Sequence, residues 1–192
     1  MGDKPFVARR MNKADLRLAL GWAAAEGWNP GLHDAQCFHV ADPQGFLIGE
    51  LDGVPIGCVS AVRYGQGFGF LGLYIVKAEH RGRGFGMALW RAAMDQLGDR
   101  VIGLDGVVAL QENYRKSGFQ FAFRNIRQRG EGGGAAPPGL TDLAAVPLED
   151  ILRYDGTAFP APRAEFLKSW IAQPHAVALG VVDGGRLRAT GS

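Results

Sequence analysis

Hydrophobic and polar positions change period several times along the chain. Phe6 to Arg10 reads as a short opening strand, and Asn12 as the N-cap of a helix with Leu16, Leu20 and Ala23 or Ala24 on one face. Gly27 ends that helix, Trp28-Asn29-Pro30-Gly31 makes a turn, and Asp34 to Val40 is a short second helix. The period then shortens. Gly45 to Leu51 is an apolar strand, Asp52-Gly53 is the strongest hairpin signal in the chain, and Ile56 to Arg63 is the returning strand. After Gly65-Gln66-Gly67, Phe68 to Val76 forms a third long strand, and the short connections make this meander antiparallel.

Lys77 to Arg83 is polar and then rich in glycine. A helical period sets in from Gly84, with Met87, Leu89, Trp90, Ala93, Met94 and Leu97 available for a buried face, and Gly98 stops it. Val101 to Leu104 is a short strand and Leu110 to Lys116 a short helix with Gly118 as its C-cap. Phe119 to Arg127, with Phe119, Phe121 and Phe123 alternating, is predicted as the closing strand. The order β-α-α-β-β-β-α-β-α-β over residues 1–129 predicts an α+β fold with a mixed, mostly antiparallel sheet flanked by helices.

Residues 130–140 read as a glycine- and proline-rich linker, and residues 141–192 as a second, partial unit. Asp150 to Ala158 and Ala164 to Ala172 are predicted helices. The segment Gln173 to Gly184 then lines up without a gap on Asp42 to Gly53, matching Pro174 to Pro43, Gly180 to Gly49 and Asp183-Gly184 to Asp52-Gly53. This is either an internal duplication or a chance likeness of two hairpins. A strand over Ala176 to Val182 with a short return is expected, and the chain reaches Ser192 before a second glycine-rich loop, which predicts one site per chain. A lone hairpin is marginal in water. Residues 141–192 are therefore expected to dock on residues 1–128 or on the same segment of a second chain, which leaves a homodimer as one outcome.

Composition narrows the class. Hydrophobic residues make up 47% and charged residues 21%, the balance of a globular protein. A net charge of +2 argues against a nucleic-acid partner, and no apolar run approaches the length of a membrane span. Two cysteines, Cys37 and Cys58, make no disulfide framework and favour a reducing cytoplasm. The 29 glycines imply tight turns or backbone that must come close to something.

The sharpest motif is a strand, a loop reading Arg81-Gly82-Arg83-Gly84-Phe85-Gly86, and a helix. Unpaired N–H groups at a helix N-terminus suit a phosphate, glycines let backbone approach it, and the arginines add donors. A P-loop would need Gly-Lys-Ser/Thr at its end, which is absent, and a dinucleotide fingerprint would need a third glycine where Met87 stands. A glycine-rich connection with solvated arginines is the competing structural reading.

Arg81, Gly84 and Gly86, spaced as Arg-x-x-Gly-x-Gly after the fourth strand, resemble the pyrophosphate-binding signature of the GNAT N-acyltransferase superfamily. Leu71 to Val76 resembles the family's pantetheine-binding strand, and Tyr114-Arg115-Lys116-Ser117-Gly118-Phe119 its Tyr-x-x-x-Gly-Phe segment. Residues 130 onward fit bacterial relatives with a second GNAT-like C-terminal domain. The resemblance implies acetyl-CoA as the acyl donor, held by Tyr74, Ile75 and Val76 and by the loop Arg81, Gly82, Arg83, Gly84, Phe85, Gly86 and Met87. It also implies a strand N–H near Val76 as oxyanion donor and an amine, small-molecule or protein, as acceptor.

Tyr114 then either protonates the leaving thiolate or packs beneath the donor. Val107 stands where the family often has Asn, which removes one expected contact. No acid lies on the fourth strand, so Glu50 and the histidines His33 and His39 are the candidate bases. Trp28, His33 and Glu50 are the candidate acceptor-site residues; Trp22, Trp28 and Phe38 suit acceptor walls, though aromatics near helix ends are more often core. His33, Cys37 and His39 lack a fourth ligand at metal spacing, so no metal is expected. The alternative function is a non-catalytic acyl-CoA-binding or sensing domain.

Overall fold

The computed structural model describes residues 5–126 and 137–191. Its first helix begins where the local chemistry demands. Asn12 Oδ1 accepts the N–H groups of Ala14 and Asp15 at 2.8 and 3.0 Å, and the Asp15 carboxylate accepts the Asn12 N–H at 2.9 Å. This reciprocal cap satisfies the orphan donors of the first turn. The order is β1 (Phe6–Arg10), α1 (Lys13–Ala25), α2 (Asp34–Ala41), β2 (Phe46–Leu51), β3 (Val54–Tyr64), β4 (Phe68–Val76), α3 (Phe85–Leu97), β5 (Val101–Leu104) and α4 (Gln111–Lys116).

Five strands form one sheet in chain order, antiparallel from β1 to β4, with β5 parallel to β4. Asp52 and Gly53 both take positive φ, 56° and 74°, as a primed hairpin turn requires. Helices α1 and α2 cover one face, over Ile48, Cys58, Val62 and Ile75. Helix α3 covers the other, where Leu89, Trp90, Ala93 and Leu97 meet Leu47, Val59 and Ala61. Met87, read as part of that buried face, is 50% exposed because it sits in the first turn, at the rim of the sheet.

The closing strand is not formed. Residues 119–126 make no ladder with β5, and Arg127 lies outside the described residues. Phe119 packs on Trp90, but Phe121 and Phe123 are 56% and 73% exposed. Strand β5 offers only four residues to pair with, and among the described residues no layer stands opposite these rings, so their alternation has no face to serve there.

After residues 127–136, outside the described set, come β6 (Leu140–Asp142), α5 (Leu148–Asp155), α6 (Ala164–Ile171), β7 (Leu179–Asp183) and β8 (Arg186–Gly191). They make a three-stranded antiparallel sheet, β6-β7-β8. Leu140, assigned to the linker from composition, is thus in a strand. Strand β7 starts at Leu179 rather than Ala176, because His175 at φ 61° and an Ala176 N–H to Gln173 carbonyl bond form a turn there.

Its hairpin turn is Gly184-Gly185, φ 55° and 72°, one residue beyond the Asp183-Gly184 read from sequence. In both hairpins the register shift falls two pairs from the turn, at Gly49/Glu50 and at Val181/Val182. The two hairpins therefore match in shape with a one-residue offset from the ungapped alignment. Either dipeptide adopts positive φ, so the turn chemistry does not fix the register.

Helix α6 packs on α2: Phe38 meets Phe166 at 5.2 Å and Trp170 at 6.0 Å, and Cys37 is buried beside them. Phe159 lies edge-on to Tyr64 and Phe68 at 5.0 and 5.5 Å. Among the described residues no helix is long and apolar enough to cross a membrane. Because Phe166 is 5% exposed and central to this contact, Phe166→Ala is expected to cost about 3 kcal/mol in chemical denaturation. A loss below about 1 kcal/mol would show that α6 contributes little by packing there.

Candidate functional site

The loop after β4 is built from backbone that few side chains tolerate. Gly82 and Gly84 sit at φ 72° and 87°, and a Cβ added to either would meet nothing within 4 Å, so open space adjoins both. Helix α3 starts immediately after. Its first intrahelical bond runs from the Ala88 N–H to the Gly84 carbonyl, which leaves the N–H groups of Phe85, Gly86 and Met87 without an intrahelical partner. No acidic residue occupies the first turn. The exposed loop and the helix end together present a concentration of donors and partial positive charge.

The two arginines differ in their work. Arg81 Nε donates to the Val76 carbonyl at 2.7 Å, and its guanidinium pairs with Glu26 at the end of α1. Arg81 thus ties the loop to the ends of β4 and α1. Arg83 lies over the Phe85 ring at 5.0 Å, and Phe85 stacks on Phe6 at 5.3 Å.

Beside the loop the sheet splits. Strand β4 pairs with β5 only from Phe68 to Leu71, then runs on through Gly72–Val76 while β5 stops at Leu104. Tyr74, Ile75 and Val76 lie in that unpaired stretch. An aromatic column begins at Tyr74 in this stretch. Tyr74 lies 5.7 Å from Trp90, and Trp90 stacks on Tyr114 at 6.0 Å. A Cβ on Gly86 would fall 2.7 Å from the Tyr74 hydroxyl, and one on Gly106 would fall 2.7 Å from the Tyr114 ring. Those glycines leave the space that the two tyrosines fill. Burial raises both phenol pKa values, with the Tyr114 phenol adding to the rise at Tyr74, so both remain protonated at neutral pH.

The candidate acceptor residues lie on other elements. Trp28, like Trp22 and Phe38, packs on the core under α1 and α2. His33 occupies the N-cap position of α2, and its Nε2 is buried without a hydrogen-bond partner among the described residues. Glu50 receives the Arg9 guanidinium at 2.5 Å, and Arg9 also reaches Asp15 at 2.6 Å. The Arg9 hydrogen bonds hold the Asp15 carboxyl below the usual range. His39 lies beside Phe46, 6.4 Å between ring centres, and Cys37 accepts a 3.3 Å hydrogen bond from Ser169. Among the described residues no three His, Cys, Asp or Glu side chains gather as metal ligands.

Two contributors stand outside the site residues that the sequence suggests. Trp90 shares a helical face with Gly86, four residues earlier, and that spacing was the available signal for the column. Glu26, the partner of Arg81, carries none, because 55 residues separate them.

Residues 13–119 match the Acetyltransferase (GNAT) family. Holothin acyltransferase of Pseudoalteromonas sp. (strain SANK 73390) is 33% identical over 153 residues, which cover 79% of this chain and 52% of that protein. The chain spans about half the length of the curated relatives it matches. A Pyrococcus horikoshii protein classed as an acetyltransferase shares the fold at a TM-score of 0.70 and 19% identity, over 91% of this chain and 64% of that one. Glucosamine-6-phosphate N-acetyltransferase of Arabidopsis thaliana aligns at a TM-score of 0.51 and 16% identity, over 67% of this chain and all of that one (100%).

The column makes a prediction of its own. The phenols of Tyr74 and Tyr114 should ionise above the ordinary tyrosine value near 10, and stability should fall as pH climbs past about 10, where the unfolded phenols ionise first. Ultraviolet titration of the parent against Tyr74→Phe and Tyr114→Phe checks this. Loss of an early-titrating phenol in either variant contradicts the packing described.

Proposed function

Since the chain belongs to the acetyltransferase (GNAT) family, we propose that it transfers an acetyl group from acetyl-CoA to a primary amine, on a small molecule or a protein. The observation that carries this reading is the junction of an anion-ready helix end with a strand edge unpaired over Gly72–Val76. The N–H groups from Gly82 to Met87 receive the pyrophosphate, and Arg83 adds charge at the loop's surface. The free edge of β4 at Tyr74, Ile75 and Val76 takes the pantetheine arm as an added strand would be taken. A strand N–H near Val76 stabilises the oxyanion that forms when the amine attacks the thioester.

Tyr114 completes the chemistry. Its burial keeps the hydroxyl protonated, which suits it to give its proton to the departing thiolate. The attacking amine loses its proton to water, since no acid lies on β4 and Glu50 is bound to Arg9. Trp28 and His33 remain the proposed acceptor-side residues, at the turn between α1 and α2 and at the start of α2. Two free, buried thiols are consistent with work in the cytoplasm.

The pairing of Glu50 with Arg9 also favours a second reading, an acyl-CoA-binding domain without turnover. Both readings require CoA binding, and amine-stimulated release of the CoA thiol separates them. Gly84→Val should abolish CoA binding in calorimetric titration while the fold survives, because valine fits neither φ 87° nor a phosphate alongside. Binding at parental affinity would remove the loop from the site. Tyr114→Phe should lower amine-dependent turnover roughly a hundredfold at unchanged CoA affinity. Turnover near the parental rate would reduce Tyr114 to packing.

A further inference from the structure

Strand β4 changes hands halfway along. Phe68 and Phe70 face the α1 side and Leu71 faces α3, as strict alternation requires. Beyond Gly72 the parity reverses: Leu73 and Ile75 face α1, while Tyr74 and Val76 face α3. The ladder with β3 shows the cause. Cys58 pairs with Ile75 and Ser60 with Gly72, so Val59 alone stands opposite Leu73 and Tyr74. This is a β-bulge with one extra residue on β4. Its first residue, Leu73, has φ 46°, a left-handed conformation that a bulky side chain adopts only under constraint.

The constraint lies on β3. Cys58 is fully buried, and its Sγ is 3.1 Å from the Leu73 carbonyl oxygen. Neighbouring Gly57 leaves room for the displaced backbone, since a Cβ there would fall 2.7 Å from the Ile75 carbonyl oxygen. We propose that Cys58 is a positioning residue: its thiol donates to the Leu73 carbonyl, pins the bulge, and so turns Tyr74 and Val76 toward α3 and the glycine loop. Burial pushes the thiol pKa up to about 12, against the opposing Ile75 backbone hydrogen bond, so the S–H remains available as a donor at any physiological pH. Without the extra residue Tyr74 would face α1, away from Gly86 and Trp90. The functional part of this inference rests on the CoA-binding reading above.

Three variants test it: Cys58→Ala, which removes the donor, Cys58→Val, which fills the space without one, and Cys58→Ser, which restores a donor. In ligand-free protein, the Leu73 carbonyl carbon shift and the Tyr74 phenol titration should move in the Ala and Val variants and return in the Ser variant. CoA dissociation constants should rise roughly tenfold for Ala and Val, the equivalent of one hydrogen bond, and recover with Ser. Unchanged carbonyl shift and Tyr74 titration in a folded Ala or Val variant would overturn the proposal. If neither of these folds, the Ser variant decides: Tyr74 titrating as in the parent upholds the proposal, and a displaced titration overturns it. A parent that binds no CoA would defeat the functional reading alone, because the ligand-free measurements judge the bulge separately.

Discussion

One extra residue in β4 governs the geometry of everything around it. A strand side chain faces one way or the other with period two, so a single insertion reverses every position that follows. In this chain the reversal falls between Leu71 and Leu73, midway along the ladder of β3 with β4. It sends Tyr74 and Val76 to the face covered by α3, and it costs a left-handed leucine. The buried Cys58 thiol and the bare Gly57 are the local features that accommodate that cost.

The rest of the candidate site follows from where β4 then goes. Pairing with β5 ends at Leu71, so the reversed stretch runs with a free edge toward the loop at Arg81–Gly86. Tyr74 fills the hollow that Gly86 leaves, and Trp90, one turn further along α3, carries the stack on to Tyr114. Arg81 closes the arrangement from the other side by joining the Val76 carbonyl to Glu26. Loop, free strand edge and aromatic column are thus three consequences of one strand's path. Charge at the surface contributes less, since exposed ion pairs such as Arg81–Glu26 are worth little in water.

What the amino-acid pattern disclosed has local causes. Asn12 caps α1 through atoms two and three residues away, Asp52-Gly53 makes its own turn, and Gly84 and Gly98 bracket α3 by their tolerance of positive φ. The loop residues were visible for the same reason. Features that depend on a distant partner were not. The bulge exists only in the pairing of β3 with β4. The role of Glu50 was obscured because Arg9, its partner, lies 41 residues away. Phe119 to Arg127 carries a strand's alternation, yet among the described residues no facing layer covers Phe121 or Phe123. The second hairpin was misplaced by one residue because Asp-Gly and Gly-Gly turn equally well.

The helix end and the free edge of β4 together make the proposed binding surface for an acyl-CoA. Amide chemical-shift mapping during titration with CoA reads that surface residue by residue. Large shifts are expected at Tyr74 to Val76 and at Gly82 to Met87, with little change in β6 to β8. Saturable binding whose shifts fall elsewhere, or no shifts at millimolar CoA, would contradict it.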